Sequence, residues 1–93
     1  MNDFRNNQLI GEKKMELLNN LDKVHTTEMG VDRIKRNIGV DVDDIVEYCV
    51  DKIKQDNAVI ERKGKNYYVT VDGIIITVNA SSYTIITAHK EKK

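Results

Sequence analysis

Apolar residues change their spacing once along this chain, near Asn57. Before that point they recur every three or four residues, the spacing of a helix face; after it they alternate, the spacing of a strand. Residues 8–22, QLIGEKKMELLNNLD, predict a first helix. Its stripe starts poorly, because Lys13 and Lys14 follow Ile10, and becomes usable at Met15, Leu17, Leu18 and Leu21. Residues 1–7 are expected to fray. A second, short helix follows, capped by Thr26 or Thr27, with Glu28 in its first turn and Gly39 at its exit. Val31, Ile34 and Ile38 form its buried face. The third helix is the clearest. Asp41 is its candidate N-cap, Asp43 and Asp44 suit the positive end of its dipole, and Val42, Ile45, Val46, Cys49, Val50 and Ile53 form its inner stripe.

Four runs rich in β-branched and aromatic residues come next: AVIER, NYYVTV, IIITVN and YTIITAHK. The turn chemistry of KGK, DG and ASS separates them. Asp72-Gly73 is a two-residue hairpin signal. If Val71 pairs with Ile74, then Val69 meets Ile76 and Tyr67 meets Val78 on one apolar face. Asn66, Tyr68, Thr70, Ile75, Thr77 and Asn79 fall on the other, expected to be an open polar face. The last strand depends on loop parity. A three-residue loop, Ser81–Tyr83, sets Thr87 opposite Thr77, buries Ile86 and Ala88, and exposes Ile85. A four-residue loop, Ala80–Tyr83, reverses those faces. The three-residue loop is preferred because it leaves Thr87 and His89 in water. The expected fold is α+β: three N-terminal helices packed on one face of a four-stranded antiparallel meander. Residues 1–93 form one domain, with a helical part at 8–56, a sheet at 57–90 and a tail at 91–93.

The composition fits a soluble globular domain, with 40% apolar and 32% charged residues and a formal net charge of +0. Such a balance gives no global field to steer the protein onto nucleic acid or membrane. The charge is uneven, however: residues 57–93 are net positive and the first 56 net negative. Cys49 is the only cysteine, so no intrachain disulfide forms, and a reducing cytoplasmic setting is expected. No apolar run is long enough to span a bilayer, and the start lacks a signal-peptide pattern.

No metal site is expected. The two histidines and one cysteine lack ligand spacing, and the acidic DVDD at 41–44 lacks the glycine and closing glutamate of a calcium loop. What remains is His25 with Thr26, Thr27 and Arg33 on the helical side, and Thr77, Thr87 and His89 on the sheet. Histidines, hydroxyls and cations are what metal-free RNA cleavage uses. One group takes the 2′-hydroxyl proton, another protonates the leaving oxygen, and a cation meets the charge growing on phosphorus. The plainer alternative makes His25 a connector between helices and His89 a strand end. Arg62 and Lys65 flank a Gly64 turn, where solvated charges are common. Tyr68 is the outward member of the Tyr67–Tyr68 pair and a weak stacking candidate.

The motifs HTTEMGVDRIKRN, RKGKNYYVTV, ITVN and YTIITAHK, which together run from His25 to Lys90, resemble a family of small uncharacterised bacterial domains. In arrangement the chain is also similar to the barnase–EndoU–colicin–RelE class of metal-independent ribonucleases. That resemblance implies His25 as the helical acid–base, Arg33 or Lys65 on phosphate, and Thr84 or Thr87 holding the scissile group. It lacks the class's sheet glutamate. The function expected is a metal-independent endoribonuclease, of toxin or phage-defence type, with His25, Arg33, Thr84, Thr87 and His89 catalytic. Arg62, Lys65, Tyr68, Thr70 and Thr77 would contact RNA. No cofactor is implied. The rival is a non-catalytic module that binds RNA or a protein, such as an inhibitor, on the open sheet face. A homodimer through the edge strand YTIITAHK is a third option, set against a monomer.

Overall fold

A computed structural model describes residues 15–91. The expected frayed start, the opening turns of the first helix (8–14) and the end of the tail (92–93) lie outside these residues. Of the first helix a short piece, α1, is described at residues 15–18. It buries Leu17 and leaves Met15 exposed, and a 3₁₀ turn follows at Leu21–Lys23. Helix α2 spans Glu28–Ile38 and helix α3 spans Ile45–Ile53. Strands β1 (Val59–Lys63), β2 (Asn66–Val71), β3 (Ile74–Asn79) and β4 (Ile85–Lys90) form one antiparallel sheet in sequential order. The fold is α+β.

Both long helices start on a side-chain cap. Thr27 Oγ1 accepts the Gly30 N–H at 3.0 Å, and Asp44 Oδ1 accepts the Glu47 N–H at 3.0 Å. Each such cap is worth about 1 kcal/mol. Asp44 therefore replaces the Asp41 expected from the sequence. Asp44 stands three residues before an amide it can satisfy, while Asp41 and Asp43 precede the first helical turn. Gly39 ends α2 in the left-handed region (φ 69°), and its N–H donates to Lys35 O. Ile34 and Ile38 from α2 join Ile45, Cys49 and Ile53 from α3 over the inward residues of the sheet.

The Asp72-Gly73 hairpin has both residues at positive φ, 50° and 79°, as its turn type requires. Val71 pairs with Ile74, Val69 with Ile76 and Tyr67 with Val78, all buried. The turn is anchored to α3: Lys52 Nζ donates to Asp72 Oδ2 at 2.7 Å, and Asn57 Nδ2 to Asp72 Oδ1 at 2.8 Å. Those bonds hold the Asp72 carboxyl below its ordinary range and raise the Lys52 ammonium. The second face is less open than expected. Thr77 is 6% exposed, because Tyr68 and Thr87 flank it in the register from both neighbouring strands.

Strand β4 combines the two loop lengths weighed above. Thr77 pairs with Thr87 and Ile75 with His89, while Val78 pairs with Ile85 and the Asn79 N–H donates to Thr84 O. The connection is therefore the four-residue loop Ala80–Tyr83, and a β-bulge at Ile86 restores the Thr77–Thr87 register. Ile85 is buried at 1% exposure and Ile86 lies at 42%, the reverse of the preferred expectation. A regular strand with Thr87 opposite Thr77 would have had to expose Ile85. The bulge removes that conflict by adding one residue. Helix α2 runs alongside β4 in the same direction, with Thr26 at the Ile85 end, Asn37 at Thr87 and Gly39 beside Lys90. The helix is about 16 Å long and the strand about 20 Å.

Candidate functional site

The chain from the 3₁₀ turn to α2 passes the start of β4 as a one-residue parallel bridge. His25 N–H donates to Tyr83 O at 3.1 Å, and Ile85 N–H donates to His25 O at 2.7 Å. Thr26 Oγ1 then donates to Ile85 O at 2.9 Å. These backbone contacts fix His25 beside Thr84, although 59 residues separate them. Gly30 makes room for the Thr26–Ile85 bond, since a Cβ there would run into Thr26 Oγ1.

The imidazole is held at both nitrogens. Nδ1 lies 2.8 Å from Lys23 O, and Nε2 lies 3.1 Å from Thr84 Oγ1. A carbonyl oxygen only accepts, so Nδ1 carries the proton and neutral His25 presents the Nε2 lone pair to Thr84. The Thr84 hydroxyl then donates to Nε2, and Ser82 Oγ, 2.7 Å away, donates to Thr84 Oγ1. Protonation of Nε2 reverses the chain. The imidazolium donates to Thr84, Thr84 to Ser82, and Ser82 to Asn79 Oδ1, which stands at 3.2 Å. Both protonation states of His25 are thus fully bonded without moving a heavy atom. This is what a group that takes and returns a proton needs.

The loop that supplies Ser82 and Thr84 is tightly defined. Asn79 Oδ1 accepts the N–H groups of Ser81 and Ser82, both at 2.9 Å. Tyr83 adopts φ 58°, a left-handed conformation that costs a bulky residue about 1–3 kcal/mol. Its ring stacks on buried Tyr67 at 6.5 Å between centroids, with Lys23 Nζ 5.9 Å from the ring centre. Arg62 lies over the Tyr67 ring at 5.3 Å and donates its Nε–H to Gly64 O at 2.9 Å. The β1–β2 turn reaches the same end of the sheet, because Ala80 N–H donates to Lys65 O at 2.8 Å. Lys23, Lys65, Ser82, Thr84 and His25 therefore share one exposed or half-buried margin.

The remaining candidates lie elsewhere. Thr87 is on the second face and accepts from Asn37 Nδ2 at 3.4 Å. Arg33 shares a surface depression on α2 with Met29, Asp32, Arg36 and Asn37. His89 pairs with Ile75 toward the far end of β4, five residues from Thr84 or about 16 Å along a strand. The two histidines are not brought together. Thr70 and Tyr68 are half-buried in mid-sheet, and Asn66 Nδ2 donates to Tyr68 O–H at 3.4 Å. The acidic residues Asp43, Asp44, Glu47 and Asp51 line a separate depression by α3. Among the described residues no group of three or more His, Cys, Asp and Glu side chains is placed to hold a metal ion.

Residues 18–89 match the family described as protein of unknown function, DUF3781. The chain belongs to the DUF3781 family. Comparison with curated proteins and with solved structures found no match. Within this DUF3781 chain, Ser82, Asn79, Lys23 and Tyr83 escaped the sequence reading of the site. Asn-x-Ser-Ser is a turn signature that marks the loop, but it does not say what the loop faces. Burial pushes the Cys49 thiol of this DUF3781 domain up to about 11, which makes it an inert core residue. Burial, with the Glu16 carboxylate acting next, pushes the Tyr67 hydroxyl up to about 12.

Proposed function

We propose that the protein is a metal-independent endoribonuclease whose acid–base group is His25. The observation that carries this is the contact of His25 Nε2 with Thr84 Oγ1 at 3.1 Å, in a tautomer fixed by the Lys23 carbonyl. It joins two groups from opposite ends of the domain at an exposed margin that also carries cations. Supporting it is the Ser82–Thr84 chain, which lets the imidazole gain and lose a proton with every partner satisfied.

In the proposed reaction the 2′-oxygen of one ribose attacks the adjoining phosphorus, and the bond to the 5′-oxygen breaks. The 2′-hydroxyl proton passes to His25 Nε2, directly or through the Thr84 hydroxyl. The departing 5′-oxygen takes that proton back from the imidazolium, which leaves His25 neutral as it began. Products are a 2′,3′-cyclic phosphate and a free 5′-hydroxyl. Lys23 and Lys65 meet the phosphate charge. Arg62 is stacked on Tyr67, and His89 lies at the far end of β4, so neither has a step here.

Incubation of the purified chain with single-stranded RNA in excess EDTA tests this. Cyclic-phosphate ends are expected, with loss of about 10²–10⁴-fold in rate for His25→Ala. Thr84→Val should slow cleavage at unchanged fold. Intact RNA over a panel of substrates removes the proposal. Salt-sensitive retention of RNA without turnover would instead assign the same margin to a binding module.

A further inference from the structure

We infer that Tyr83 is a stacking platform for one base of a single-stranded nucleic acid, seated beside the His25–Thr84 pair. This rests on the proposal that the His25 margin meets RNA, and it gives that margin a binding subsite. Tyr83 is half-buried, and its ring is backed by the wholly buried Tyr67 at an interplanar angle of 22°. A ring supported from within presents a flat surface that does not have to be ordered on binding. Lys23, itself exposed, lies over the ring with its ammonium 5.9 Å from the ring centre, so a base that stacks there displaces the lysine to the edge, where it meets the nucleotide's phosphate.

The backbone conformation points the same way. At φ 58° glycine or asparagine would sit without strain, yet the position carries the largest polar aromatic of the loop. Residues held in such regions cluster at ligand clamps. Thr84 follows immediately in the chain, so the subsite adjoins the residue that bonds His25. The ligand class follows from the geometry. A duplex keeps its bases stacked on one another and offers none to a side platform, whereas a single strand can splay one out. Every base has a π-face, so the subsite should tolerate any sequence.

Fluorescence titration with two DNA hexamers tests the inference: hexadeoxyadenylate and an abasic hexamer with the same phosphates. The wild-type chain should bind the first about 5- to 100-fold more tightly. Tyr83→Phe should keep that preference. Tyr83→Gly, which suits the backbone angle while deleting the ring, should abolish it and leave the weaker phosphate binding; Tyr83→Leu should do the same. Equal binding of the two hexamers by the wild type, a preference surviving in Tyr83→Gly, or no binding of either strand overturns the inference. DNA lacks the 2′-hydroxyl, so nothing in this assay can be cut by the proposed reaction. A base preference without RNA cleavage would leave the subsite standing and remove catalysis. Cleavage without a base preference would do the opposite.

Discussion

Replacing Ile85 and Ile86 by alanine, one at a time, distinguishes the four-residue loop before β4 from the three-residue loop. Ile85 is 1% exposed and pairs with Val78 over the core, whereas Ile86 is 42% exposed at the bulge. Ile→Ala removes three carbons, worth about 0.8 kcal/mol each on transfer from water, and a buried site adds a cavity term. Ile85→Ala should therefore cost about 2–5 kcal/mol. Ile86 keeps nearly half of its surface in water, so its truncation should cost about 1 kcal/mol. Urea unfolding followed by circular dichroism reads both. With a slope of about 1–3 kcal/mol per molar urea, the two midpoints should differ by about 1–2 M. Equal losses, or a larger loss for Ile86→Ala, would mean that the three-residue loop holds, with Ile85 outward and Thr84 turned away from His25.

Gly30→Ala should destabilise by about 1 kcal/mol despite its better helix propensity, because the new methyl displaces Thr26 from Ile85 O. In a Thr26→Ala background the same change should cost less, because the closest clash is gone while the Thr27 hydroxyl still crowds the new methyl at 3.2 Å, and a thermal-melt double-mutant cycle checks the difference. Asp72, lowered in the folded state by its bonds to Lys52 and Asn57, contributes stability above the ordinary carboxylate pKa and loses it as pH falls through the folded value. The stability gap between wild type and Asp72→Asn should accordingly close on acidification; a constant gap contradicts the linkage. Cys49, raised by burial to about 11, contributes up to its unfolded pKa and loses that contribution as pH rises through about 11. At mildly alkaline pH its reaction with a disulfide reagent should be slow and should track unfolding. A rapid reaction of the native protein contradicts that burial.

The parts of the fold legible in the sequence are those set by local chemistry. Asp72-Gly73 specifies its own turn, and the period-two alternation carries the register outward from it to Tyr67 and Val78. Thr27 and Gly39 bound α2 because a hydroxyl and a missing Cβ satisfy the helix ends. Asp41 and Asp44 could not be separated by type, since either carboxylate makes a cap; Val42 entering the core ahead of the helix decides it. The bulge was illegible because alternation constrains faces only in a regular ladder. An extra residue changes loop length and face together. Thr84 entered as a candidate by resemblance. The contact that gives it meaning is a backbone bridge between residues 59 apart, which no spacing along the chain encodes. Tyr83 was hidden for a related reason: nothing in its side chain announces a left-handed backbone.

Catalysis by His25 is tested most directly with a DNA oligonucleotide that contains a single ribonucleotide, incubated with the full chain in EDTA. One cut should appear, on the 3′ side of the ribonucleotide, with a 2′,3′-cyclic phosphate on the 5′ fragment by mass spectrometry. His25→Ala, an exposed position whose replacement should move stability by about 1 kcal/mol or less, should leave the strand whole. An uncut strand with the wild-type protein, or equal cutting by His25→Ala, would contradict the assignment.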